Sequence, residues 1–271
     1  MFQNKSCSGK ISESQSASQA SDTITSFMLN SRIMLINMCC LRRDIKQISM
    51  SIERHIESYE GDIADGKRHG KGVLIWKTGY RYEGDFFKNK RTGKGKYYDK
   101  YGDLRYEGGF VDGVWNGKGK LFDENCTLRY EGDFVDGDWT GKGKYFDKDG
   151  ILNYDGDLVD GKEHGKGKKF DENGKLRYEG NFVDGKKHGK GKLFDENGTL
   201  RYEGDSFDDN CTGKGKLFDE NGNLQYEGDW VDAAPNGKGN LFYENGILGY
   251  EGDFVDHRNT GKGNYLIKIP I

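Results

Sequence analysis

Aliphatic residues are scarce. Only 33% of the 271 residues are hydrophobic, too few to fill a deep aliphatic core. An excess of one charge is missing as well. With 42 basic against 45 acidic side chains, the composition argues against nucleic acid as the main partner. The five cysteines, Cys7, Cys39, Cys40, Cys126 and Cys211, are odd in number and irregular in spacing. That suits neither a disulfide framework nor a zinc site, and a reducing cytoplasmic interior is the plainer expectation. A charged start followed by an apolar run is absent from the opening MFQNKSCSGK, so no secretory signal is expected. The most apolar stretch, 24–41, is broken by Asn30, Ser31, Arg32 and Asn37, so no transmembrane helix is expected, since one needs about 20 predominantly apolar residues.

What the chain has instead is glycine, 42 of them, and a 13% share of aromatic residues. That many rings argue against a disordered tail and for thin apolar contacts spread over a flat or elongated body. The rings recur in register. Tyr59, Tyr82, Tyr106, Tyr130, Tyr154, Tyr178, Tyr202, Tyr226 and Tyr250 each open a Tyr-Glu/Asp-Gly unit, 23 residues apart at the first step and 24 thereafter. Counted from each tyrosine, glycine stands at offsets 2, 11 and 13 and lysine at offset 12 in all nine units.

Within a unit the pattern is that of strands. Leu176, Tyr178, Gly180 and Phe182 alternate with Arg177, Glu179, Asn181 and Val183, a period of two that a pleat sorts onto opposite faces. The second half, Gly189-Lys190-Gly191-Lys192-Leu193-Phe194, runs into Asn197-Gly198, read as a two-residue type I′ hairpin with positive φ at both residues. Asp184 to Lys187 reads as a four-residue loop. These turns predict that Phe182 faces Gly189, Asn181 faces Lys190, Glu179 faces Lys192 and Tyr178 faces Leu193. On the other side Lys190 faces Asp205, Lys192 faces Glu203 and Leu193 faces Tyr202. Lysine strands then lie between carboxylate strands, and rings on the opposite face lie over bare glycine backbone. The Gly-Lys-Gly column is therefore scaffolding.

The pattern Y-E-G-x-x-x-x-G-x-x-H-G-x-G, met residue for residue by Tyr59–Gly72 and Tyr178–Gly191, resembles the MORN (membrane occupation and recognition nexus) repeat. The resemblance covers about four fifths of the chain, over residues 59–271. It departs from the pattern in its 24-residue step, in Ser206 where a ring is expected, and in Asp209, Ala233 and His257 where the loop glycine is expected. It implies an elongated, twisted, largely single-layer antiparallel sheet of tandem β-hairpins, with partner or membrane docking as the usual role. Enzymatic members of such a family carry a separate catalytic domain beside the repeats, and 58 leading residues are too few for a usual one.

Residues 1–23, with seven serines, read as a disordered tail. Over 24–57, Ile24, Phe27, Met34, Met38, Leu41, Ile45, Ile48 and Ile52 recur at alternating three- and four-residue steps, interrupted by Ser31, the stripe of an amphipathic helix. Three roles stay open for it: a cap on the first hairpins, a self-associating coiled coil, or a membrane-surface helix flanked by Arg32, Arg42, Arg43 and Lys46. The last strand ends in the apolar YLIKIPI, so end-to-end or side-by-side dimerisation is expected.

No enzyme, cofactor or metal is expected. Gly66–Gly72 has three residues between glycines where a Walker loop has four, and glycine where that loop has Ser or Thr. His69, His164 and His188 share offset 10, and equivalent points on neighbouring hairpins lie about 10 Å apart, too far to share a zinc ion. Every unit supplies the same carboxylates, with no singular group for an active site. The lysine column faces carboxylates, which cancels most of its pull on anionic lipid. The expected function is a non-enzymatic scaffold holding a partner protein, a helix laid on the ring-bearing face, with Phe110, Phe134, Phe182 and Trp230 lining the groove and Trp115 and Trp139 as loop anchors. The alternative is a peripheral membrane adaptor acting through 24–57 or through anionic lipids. The expected location is cytoplasmic, with membrane association left open.

Overall fold

A computed structural model describes residues 56–265. The readings of 1–23, of most of 24–57 and of the extreme C-terminus lie outside them. Eighteen antiparallel strands follow one another in a meander, from β1 (Ile56–Ala64) and β2 (Lys67–Trp76) to β17 (Leu248–Val255) and β18 (Arg258–Tyr265). Each strand pairs with the next, and the sheet stays open, with β1 and β18 as its edges. At about 4.8 Å per strand the sheet is on the order of 85 Å long.

The rings organise one face. Tyr178 lies flat over the facing pair Gly180 and Gly191, so that a Cβ on Gly191 would stand 2.3 Å from the phenol oxygen and 2.5 Å from the ring carbons. The hydroxyl turns back and donates to the Asn181 carbonyl at 3.1 Å. The same contact to the residue three places on is made by Tyr106, Tyr130, Tyr154, Tyr202, Tyr226 and Tyr250. The ring at offset 4 meets its own tyrosine edge-on, and in several units also the tyrosine before it, as in Tyr82–Phe110 and Tyr154–Phe182. Each edge-to-face pair contributes about 0.5–1.5 kcal/mol beyond burial. Units therefore close over one another, and the core is a single stack of rings along the sheet.

A third layer of this face is absent from the sequence reading. The residue at offset 9 caps its own tyrosine. Trp115 stacks on Tyr106 at 4.5 Å and Trp139 on Tyr130 at 4.3 Å, while Arg91 and Lys187 put cations over Tyr82 and Tyr178.

Both turns differ from expectation while the register between them holds. Asp184-Gly185 forms the tight loop, with φ of 50° and 83°, so the conformation assigned to Asn-Gly belongs to Asp-Gly. Val183 then pairs with Lys186 and Phe182 with Lys187, not with Gly189. The surplus residues His188–Lys190 form a bulge opposite Asn181, so Asn181 faces Lys190 only through the bulge. Phe-over-glycine pairing does occur, but on the preceding hairpin, where Phe182 faces Gly165. At the other end only Gly198 has positive φ. Asp195 makes that turn by accepting the Asn197 and Thr199 N–H groups on one carboxylate oxygen, both at 2.9 Å.

The second residue of the tight turn holds its left-handed conformation even without glycine, at Asn89, Asp209, Ala233 and His257. The reason is a bond between units: its N–H reaches the carbonyl of the preceding unit's cap residue, as from Gly185 to Glu163 at 2.8 Å and from Ala233 to Cys211 at 2.9 Å.

Gly191→Ala should destabilise the protein by about 2 kcal/mol, because the methyl group meets a pinned ring. Ala233→Gly should stabilise it by up to about 1 kcal/mol by relieving the left-handed strain. Denaturant melts of the two variants read both signs.

Candidate functional site

The six rings expected to receive a partner are core. Phe110, Phe134, Phe182 and Trp230 are at most 2% exposed and Trp139 is buried, while Trp115 is half-buried against Tyr106. Trp115 and Trp139 sit in strands β6 (Val114–Phe122) and β8 (Asp138–Phe146), not in loops. The neighbouring units' rings and the caps already occupy the space that a partner would need, so the open face is the opposite one.

That face is a charge ladder with a glycine floor. Each lysine at offset 14 reaches the carboxylate at offset 1 of the next unit, as Lys120–Glu131 and Lys192–Glu203 do at 3.3 Å. Six of the lysines at offset 12 reach the aspartate at offset 3 of the next unit, as Lys118–Asp133 does at 3.0 Å and Lys214–Asp229 at 2.6 Å. The aspartate also serves its own hairpin: the other oxygen of Asp229 accepts the Lys238 N–H at 2.9 Å, which satisfies a donor freed by the bulge. Sequence pairing anticipated the ion pairs but not this second bond, which depends on the bulge. Two shallow grooves of about 940 and 1050 Å³ on this face are lined by these lysines, carboxylates and glycines.

Two rungs lack their aspartate, since Lys94 faces Gly109 and Lys166 faces Asn181. Neither lysine has an ion pair among the described residues, which leaves two positive points within the ladder. One column on this face is apolar. At offset 5 stand Phe87, Val111, Val135, Val159, Val183, Phe207, Val231 and Val255, each 39–60% exposed. His69 and His188 pack against Phe87 and Phe207, so two of the three loop histidines brace this ridge. The ridge is legible in the sequence as an apolar column at offset 5, one residue beyond the ring at offset 4.

The cap column also departs from the repeated chemistry. In three consecutive units it carries Glu163, Lys187 and Cys211, all buried. Glu163 accepts from Tyr145 and Lys169, each at 2.6 Å. Burial holds the Lys187 amine below its ordinary value, and burial pushes the Cys211 thiol up to about 12, away from the thiolate a nucleophile needs. These buried groups close over the ring stack.

The Tyr-Gly hairpin, its ring stack and the open ladder define a tandem β-hairpin repeat. The MORN repeat family matches residues 59–79, 82–103, 106–125, 130–151, 178–200 and 226–247, and a MORN repeat variant matches 163–184 and 212–232. Together they cover more than half of the chain, which belongs to the MORN repeat family. Proteins of this family are generally non-enzymatic modules for protein interaction or membrane association. No curated protein matches the chain. Among the described residues no helix is long and apolar enough to cross a membrane, and no cluster of His, Cys, Asp and Glu could hold a metal ion.

The ladder makes stability depend on acid. The hydrogen bond from Lys142 holds Asp157 below the ordinary aspartate value, and that from Lys214 does the same for Asp229. A lowered folded-state pKa gives stability that is present above the unfolded value, about 4, and lost as pH falls through the depressed values. Asp157→Asn with Asp229→Asn should therefore lower Tm at neutral pH and flatten its decline between pH 5 and 2.

Proposed function

We propose that the protein is a scaffold that receives an amphipathic helix of a partner protein along the open face. The observation that carries this reading is the exposed offset-5 ridge beside the charge ladder. Ridge residues recur every second strand, about 10 Å, and an α-helix advances about 10.5 Å in seven residues. A helix lying across the strands with an apolar residue every seventh position would meet one ridge residue per heptad. Lys94 and Lys166 supply charge complementarity for acidic residues flanking that stripe. Membrane docking is the weaker alternative, because carboxylates answer most of the lysines on this face.

Val135→Glu, Val159→Glu and Val183→Glu, combined in the full chain, test the proposal. These side chains are exposed, so Tm should stay near wild type while a protein captured by the wild-type chain is lost. Capture that survives the triple change would contradict the proposal, as would salt-sensitive binding to phosphatidylserine vesicles with no protein partner.

A further inference from the structure

The stack has two ends, and each lacks what the other carries. Interior residues at offset 4 lie against the preceding unit and are at most 4% exposed, whether the residue is Phe110, Leu158 or Ser206. In the first unit the same position is Ile63, and it is 58% exposed. At the far end of the described residues Tyr250 has Phe254 and Tyr265 beside it, and Tyr265 is half exposed. Among the described residues β1 hydrogen-bonds only to β2 and β18 only to β17, so each edge presents an unpaired row of backbone groups.

We infer that the chain associates head to tail, with β18 of one copy adding to β1 of the next in the register of the internal junctions. Those junctions place offsets 12, 13, 14 and 15 opposite offsets 3, 2, 1 and 0 of the following unit, as Lys190, Gly191, Lys192 and Leu193 face Asp205, Gly204, Glu203 and Tyr202. Carried across two copies, the same register sets Lys262 against Asp62, Gly263 against Gly61, Asn264 against Glu60 and Tyr265 against Tyr59.

Each of these pairs already occurs inside the molecule. Lys238 faces Asp253, Asn240 faces Glu251, and Tyr97 faces Tyr106. Leu158 shows that an aliphatic side chain fills the site that Ile63 would occupy. Charge agrees too: Asp62 accepts the Lys71 N–H on one oxygen, and neither Asp62 nor Lys262 has an ion pair among the described residues. Because the two surfaces differ, the contact is heterologous and leads to open chains or larger rings, not to two-fold dimers. It would extend the ring stack and the open ladder from copy to copy.

Sedimentation velocity of the full chain over a wide concentration range tests this. The wild type should grow past the dimer as concentration rises. Asp62→Lys and Lys262→Asp, each at an exposed site that leaves the ring stack untouched, should each weaken association about tenfold by setting like charges opposite. An equimolar mixture of the two variants should restore it, because every junction between unlike copies is again paired. A monomer at all concentrations would overturn the inference and point to the chain's own first 55 residues on the β1 edge. Growth that stops at dimer, or that ignores both substitutions, would also overturn it.

Discussion

A tyrosine ring lying across two facing glycines is the contact on which this fold depends. Without Cβ atoms at Gly180 and Gly191 the Tyr178 ring comes down onto the backbone of two strands and turns its hydroxyl to the Asn181 carbonyl on the same hairpin. Glycine ordinarily weakens a strand, but here the ring restores the contact area that the missing side chains give up. Nine such rings make a core one residue thick, which is how a chain with so few aliphatic side chains folds.

Sheet parity turns that packing into a division of labour. On the first strand of each unit the even offsets carry the ring face, closed by neighbouring units, and the odd offsets carry Glu, Asp and the Val/Phe ridge; on the second strand the parity reverses, so that Lys at offsets 12 and 14 joins the open face. The aspartates link the two systems, since Asp229 closes the bulge of its own hairpin and holds the lysine of the hairpin before it. The face left for a partner is therefore charged, with one apolar seam.

Much of this was legible in the residues themselves. The nine-fold columns showed the strands and the family, and Lys192 opposite Glu203 followed from counting across the Asp195–Gly198 turn. The tight turn was misread because its length depends on the bulge at His188–Lys190, and nothing local distinguishes bulge residues from loop residues. The rings were assigned to a partner because their covers, Arg91, Trp115, Glu163, Lys187 and Cys211, share a position but no chemistry. A column that varies this much gives no repeat signal, although backbone geometry sends every member to the same place. The turn bond from Ala233 to Cys211 was hidden for a similar reason, since the alanine masks a position that elsewhere holds glycine.

The central claim is that the repeat tyrosines lie sealed under their neighbours, and ultraviolet titration of the phenols tests it most directly. Burial raises the pKa of Tyr82, Tyr106, Tyr178 and Tyr226, whereas Tyr101 stands exposed on a turn. The account predicts that the repeat phenols stay protonated well past the pH near 10 at which a free phenol ionises, and release their protons together when the fold is lost. Ionisation of all the tyrosines near that pH, with the sheet still intact by circular dichroism, would contradict it.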